Sequence, residues 1–177
     1  MRLFIAFDVS EEARGRVAEA VAREKEKVDA KWVRTDGLHI TLVFFGELKP
    51  DRLPEIVDAA TKMAKQHGPL ALCLEGAGTF SGKSPRVLWL GVGGDVKPLA
   101  QMAAQLGEAL GIVSDHPRYT PHLTLARSVP KSGDPMLNEV ARRLEHKKFG
   151  AWEVDHLTVY ETAGGRYRPL ATIRLGS

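Results

Sequence analysis

The chain of 177 residues has one cysteine, Cys73, so no disulfide can close within it and nothing calls for an oxidising compartment. It has no apolar run near the roughly 20 residues that span a bilayer, so no membrane partner is expected. The opening MRLFIAFDVS has one Arg, a short apolar stretch and then Asp8, and reads as a first strand rather than a signal peptide. A cytoplasmic protein is expected. His, Cys and carboxylates nowhere take metal-ligand spacing, so neither a metal nor another cofactor is expected. Gly82-Lys83-Ser84 ends like a nucleotide-binding loop, but Ala77 stands where that loop needs Gly, and Pro85 follows. Linkers and low-complexity stretches are also missing, and the formal net charge of +3 suits an anionic ligand without requiring one.

What is present is a short pattern that repeats. His39-Ile40-Thr41-Leu42 and His122-Leu123-Thr124-Leu125 both read His, apolar, Thr, apolar, and nearly half the chain separates them. In a strand, alternate side chains share a face, so each His and its Thr stand together while the apolar pair turns to the core. Packing gives no reason to place an imidazole beside a hydroxyl on that open face. A third copy, His156-Leu157-Thr158-Val159, follows the acidic Glu153 and Asp155. An anion site is not built beside carboxylates, so His156 reads as structural or surface.

The rest of the pattern alternates strands and helices. Strands are expected at Leu3–Val9, His39–Phe45, Leu70–Glu75, Arg86–Val92, from His122, and at Phe149–Val154, His156–Glu161 and Thr172–Leu175. Helices are expected after a Ser10 cap, at about Pro54–His67, Leu99–Leu110 and Pro135–His146. Each half offers a His-Thr strand, then a helix, then further strands. That order predicts an α+β fold: a duplicated, pseudo-two-fold unit with two antiparallel sheets facing a central cleft and helices outside. The whole of 1–177 reads as one domain of two intertwined lobes, acting as a monomer.

His39-Ile40-Thr41-Leu42 with Phe45-Gly46-Glu47, and Pro121 through Arg127, resemble the paired signatures of the 2H phosphoesterases. Within them the chain is similar to the RNA 2′,3′-cyclic phosphodiesterase family, also called 2′-5′ RNA ligase or LigT-like. Arg2-Leu3-Phe4-Ile5-Ala6, Arg86-Val87-Leu88-Trp89-Leu90 and Leu157-Thr158-Val159-Tyr160-Glu161 extend the likeness along the chain. The resemblance implies a bilobal fold, no metal, and hydrolysis of a terminal 2′,3′-cyclic phosphate to a 2′-phosphate. The partners implied are RNA ends, tRNA fragments among them. It also implies reversible 2′-5′ RNA ligase activity.

Such chemistry needs a base to take a proton from water and an acid to protonate the departing ribose oxygen, and two imidazoles can hold those states at one pH. Hydroxyls of Thr41 and Thr124 can donate to the non-bridging oxygens as charge builds there. By resemblance His39 is the proton donor and His122 the proton acceptor, and Arg127 matches a basic residue that holds phosphate. Strict alternation, however, puts Arg127 on the face opposite His122. Alternation puts Phe45 on the face of Thr41 and His39, either to stack on a nucleobase or as a core residue. Arg118 and Tyr119 precede the second motif, either lining the cleft and touching substrate or lying in a solvated loop. Two other readings stay open: an esterase for small cyclic nucleotides or ADP-ribose cyclic phosphate, and a non-catalytic module binding RNA ends.

Overall fold

The computed structural model describes residues 1–80, 82–113 and 118–176. Along these the order is β1 (Arg2–Asp8), α1 (Glu11–Lys25), β2 (Lys31–Trp32), β3 (His39–Glu47), α2 (Leu53–Ala64), β4 (Leu70–Phe80), β5 (Val87–Gly94), α3 (Val96–Leu110), β6 (His122–Arg127), α4 (Met136–Leu144), β7 (Lys148–Val154), β8 (His156–Ala163) and β9 (Arg166–Arg174). The strands form two antiparallel sheets, one ordered β3-β1-β8-β9 and the other β2-β6-β5-β4-β7. This is the α+β architecture that the alternation predicts.

Two of the helices, α1 and α3, cross between the sheets. Helix α1 leaves the end of β1 in the first sheet, capped by Ser10, whose Oγ accepts from the Ala13 amide at 3.2 Å. Its buried Ala13, Val17 and Val21 nevertheless pack with Leu88 and Leu123 of the second sheet and with Leu137 and Val140 of α4. Helix α3 follows β5 of the second sheet, yet its Leu99, Met102 and Leu106 join Ile56 and Met63 of α2 against Ile5, Ile40 and Leu157 of the first. Each sheet thus has one helix-covered face, and each lobe is completed by a helix that enters it from the other.

Two elements run longer than their local composition suggests. Strand β4 continues through Gly76 to Phe80, because a register shift between Leu74 and Ala77 absorbs Gly76 at φ 74° and pairing with β5 resumes beyond it. Strand β9 begins at Arg166 rather than Thr172, since Arg166-Tyr167-Arg168-Pro169 carries little apolar signal. It lies on the sheet edge, and Pro169 falls beside another register shift, where a missing amide proton is tolerated. Among the described residues no helix is long and apolar enough to cross a membrane.

Candidate active site

Both His-Thr strands obey the alternation. Ile40 and Leu42 are 0% and 3% exposed, Leu123 and Leu125 are 0% and 1%, and burying each such side chain stabilises the fold by about 1.5–3 kcal/mol. That burial turns His39 and Thr41 of β3, and His122 and Thr124 of β6, to the other side, where all four line one cleft of about 150 Å³. Arg127, Phe44, Phe4 and Tyr167 line it too. Pockets that take drug-sized ligands measure roughly 300 Å³ or more, so a cleft of this size suits a reacting end and not a whole oligonucleotide.

The two imidazoles are held in the same way. Nδ1 of His39 donates to the Gly37 carbonyl at 2.7 Å, and Nδ1 of His122 donates to the Thr120 carbonyl at 2.7 Å. A carbonyl only accepts, so each Nδ1 carries the proton and Nε2 is the nitrogen that titrates. Aromatic rings brace both. Phe4 lies 4.8 Å from His39 with the planes 31° apart, and Tyr167 meets it edge-on at 4.9 Å. Phe80 meets His122 edge-on at 5.1 Å, with Trp89 at 6.4 Å behind it. Glycines make the room: a Cβ on Gly78 would stand 2.4 Å from the Trp89 ring, and one on Gly37 would stand 3.1 Å from Tyr167. None of these braces is marked in the sequence, because they come from strands distant along the chain.

Burial pushes the His39 pKa below its ordinary value, and the charge of His122 pushes the same way. The bond to Gly37 and the carboxylate of Asp8, its register partner on β1, oppose the shift.

Two strand bulges decide where the other candidates go. On β3 the register with β1 jumps from Thr41–Ala6 to Val43–Ile5, leaving Leu42 without a register partner and reversing the parity beyond it. Phe44 therefore faces Phe4 in the cleft, 52% exposed, with the Arg2 guanidinium 5.6 Å from its ring centre. Phe45 turns the other way and packs on the core, which corrects its expected place beside His39. On β6 the register with β5 jumps from Thr124–Trp89 to Ala126–Leu88, leaving out Leu125, and this brings Arg127 round to the side of His122. Strict alternation fails at both places for one reason.

Tyr119 does not face the cleft as a substrate contact. Its ring packs on the core, its hydroxyl donates to the Thr41 carbonyl at 2.8 Å, and burial pushes its pKa well up. Arg118 is exposed and not among the side chains lining the cleft, which corrects its expected place there. His156 stands outside the cleft, its Nδ1 2.8 Å from Asp155 Oδ1 and its Nε2 3.6 Å from Asp8 Oδ2, while Thr158 is buried against β1. Among the described residues no three of His, Cys, Asp and Glu are grouped as a metal site.

Known proteins resemble this chain along its length. It is 30% identical over 180 residues to an Aquifex aeolicus protein named RNA 2′,3′-cyclic phosphodiesterase, covering 98% of this chain and 94% of that one. An Archaeoglobus fulgidus protein of the same name is 32% identical over 157 residues, covering 87% and 86%. Among solved structures, a Thermus thermophilus protein matches with a TM-score of 0.80 at 27% identity, covering 99% of this chain and 98% of that one. Apo LigT of E. coli matches at 0.72 and 28% over the same shares. The family model for the 2′-5′ RNA ligase superfamily matches residues 9–166, and the chain belongs to that superfamily.

Proposed function

We propose that this protein is an RNA 2′,3′-cyclic phosphodiesterase that opens a terminal cyclic phosphate to a 2′-phosphomonoester by two-histidine acid–base catalysis. One observation carries the reading: two imidazoles, each pinned through Nδ1 to a backbone carbonyl, line one cleft with two threonines and Arg127. The names of the relatives, at about 30% identity over most of the chain, support the substrate class. His122 Nε2 takes a proton from water as the oxygen attacks phosphorus. The P–O3′ bond breaks, and protonated His39 gives its Nε2 proton to the departing O3′. Thr41 and Thr124 donate to the non-bridging oxygens and Arg127 offsets their charge, so the charge that builds up meets groups already oriented. The acid and the base are both side chains of this chain, and no step is assigned to a metal.

With a 5′-hydroxyl in place of water and the same roles, His122 takes the proton of that hydroxyl as its oxygen attacks phosphorus. His39 protonates the departing O3′, and a 2′-5′ linkage results; cleavage of that linkage exchanges the roles. Phe44 provides an open ring face at the cleft for the terminal base. The substrates are RNA ends bearing the cyclic phosphate, with tRNA fragments among them. A single chain supplies both histidines, which suits a monomer, and the lone cysteine suits the cytoplasm.

The test is to incubate the protein, in excess EDTA, with an oligoribonucleotide ending in a 2′,3′-cyclic phosphate and with a cyclic mononucleotide. The expected product is a 2′-monoester, formed faster from the oligonucleotide. A 3′-monoester, or a rate that EDTA abolishes and a divalent ion restores, would count against the mechanism.

A further inference from the structure

The sheet face that carries His39 also holds titratable groups that this chemistry leaves unused. Asp8 stands opposite His39 in the β1–β3 register, where facing Cβ atoms lie about 4.5–5.5 Å apart. Its carboxylate is held from the far side by β8. The Tyr160 hydroxyl donates to Oδ1 at 2.6 Å, and Nε2 of His156 is 3.6 Å from Oδ2. The Tyr160 ring also stacks on Phe4 at 5.3 Å, and Phe4 in turn lies against His39. Imidazole, phenyl, phenol and carboxylate thus form one packed layer.

We propose that Asp8 is a positioning residue: its carboxylate, fixed by Tyr160, keeps the proton on the His39 ring. The inference rests on His39 as the proton donor of the proposed reaction. An acid sitting in a buried, aromatic-lined position is driven to its neutral form and needs an opposite charge nearby. The other charged or titratable groups facing His39 do not supply it. His122 and Arg127 on β6 oppose the imidazolium when they are charged, and Tyr167 on β9 presents a ring edge. Asp36, in the turn before β3, is taken by Arg34 at 2.9 Å. Around Asp8 itself stand Tyr160 and His156 of β8, with Asp155 beyond His156, and Arg14 of α1, which bonds to the carbonyls of Thr35 and Val9. The third His-Thr copy thus shares a carboxylate with the first, and a protonated His156 competes for it.

Asp8→Asn keeps the size, and its amide oxygen still accepts from Tyr160. The His39 imidazole is titrated by NMR in the wild type and the variant, with His67 as an internal reference, and kcat/KM is followed against pH on an RNA cyclic phosphate. The His39 midpoint is expected to fall by about half a unit in the variant. The alkaline limb of kcat/KM should move with it, a loss of about threefold above the midpoint, while the acid-side rate stays near wild type. An unmoved His39 midpoint overturns the proposal. A midpoint that falls while the alkaline limb stays put supports the Asp8–His39 coupling and rejects His39 as the proton donor. If thermal unfolding shows that Asp8→Asn does not fold, Asp8→Ser is titrated instead, with the same expected sign.

Discussion

The Tyr119 hydroxyl donates a 2.8 Å hydrogen bond to the carbonyl of Thr41. Tyr119 lies in the approach to β6 and Thr41 lies in β3, so this bond ties one His-Thr strand to the segment that delivers the other. Tyr119→Phe keeps the packing and leaves the Thr41 carbonyl without that donor, a loss of about 1 kcal/mol of stability. Because the bond links the two segments that carry the imidazoles, kcat should fall several-fold while KM changes little. A thermal melt and a Michaelis series measure both. An unchanged kcat beside a lowered melting temperature would reduce the bond to a purely structural tie.

The three His-Thr copies should separate cleanly by mutation. His39→Ala and His122→Ala are each expected to lower turnover by about 10²–10⁴, the range for a general acid or base. His156→Ala should keep most of it, since that ring stands outside the cleft between Asp8 and Asp155. Single-turnover rates on a cyclic-phosphate RNA measure this. Near-normal turnover in His122→Ala would exclude His122 from the acid–base pair.

The parts of the site that alternation governs are legible in the sequence. Burying Ile40, Leu42, Leu123 and Leu125 leaves the two histidines and two threonines one place to go, and period two shows this directly. Alternation fails from Leu42 and Leu125, the last residue of each motif, where a bulge adds one residue and inverts the residues that follow, Phe44 on β3 and Arg127 on β6. A bulge is set by pairing with the neighbouring strand, so no pattern within β3 or β6 betrays it. Phe4, Phe80, Trp89 and Tyr167 are invisible for a related reason: each looks like an ordinary strand aromatic until the sheets bring it against an imidazole. Tyr119, beside a candidate motif, reads as a substrate contact because nothing local says that a loop side chain will pack on the core.

The inversion at Leu42 can be tested on the adjacent pair. Phe44→Ala removes an exposed ring at the cleft, so stability should hardly change while KM for an RNA substrate rises about tenfold, from a stacking contact worth roughly 1–3 kcal/mol. Phe45→Ala removes a ring packed on the core and should cost about 2 kcal/mol of stability, below the roughly 3–5 kcal/mol of a fully buried Phe, with KM nearly unchanged. Denaturant melts and KM values on the same RNA give the comparison. The opposite assignment of effects would return Phe45 to the cleft.

The pH profile should carry the mark of His39's surroundings. In the free protein, burial lowers its pKa below the ordinary 6.5, so the ring gives up its proton sooner as pH rises. As the proton donor it must be charged, and the alkaline limb of kcat/KM, which reports the free enzyme, should therefore lie on the acid side of that value. The limb of kcat should lie higher, because a bound phosphate anion favours the imidazolium. The same shift acts on folding. Between the lowered native pKa and 6.5 the unfolded chain binds more protons than the folded one, so this group makes stability rise with pH across that window. In His39→Gln that contribution should vanish from the pH dependence of unfolding, and the alkaline limb of the residual rate should vanish with it. Retention of the limb in that variant would assign it to another group, His122 first, and exchange the donor and acceptor roles.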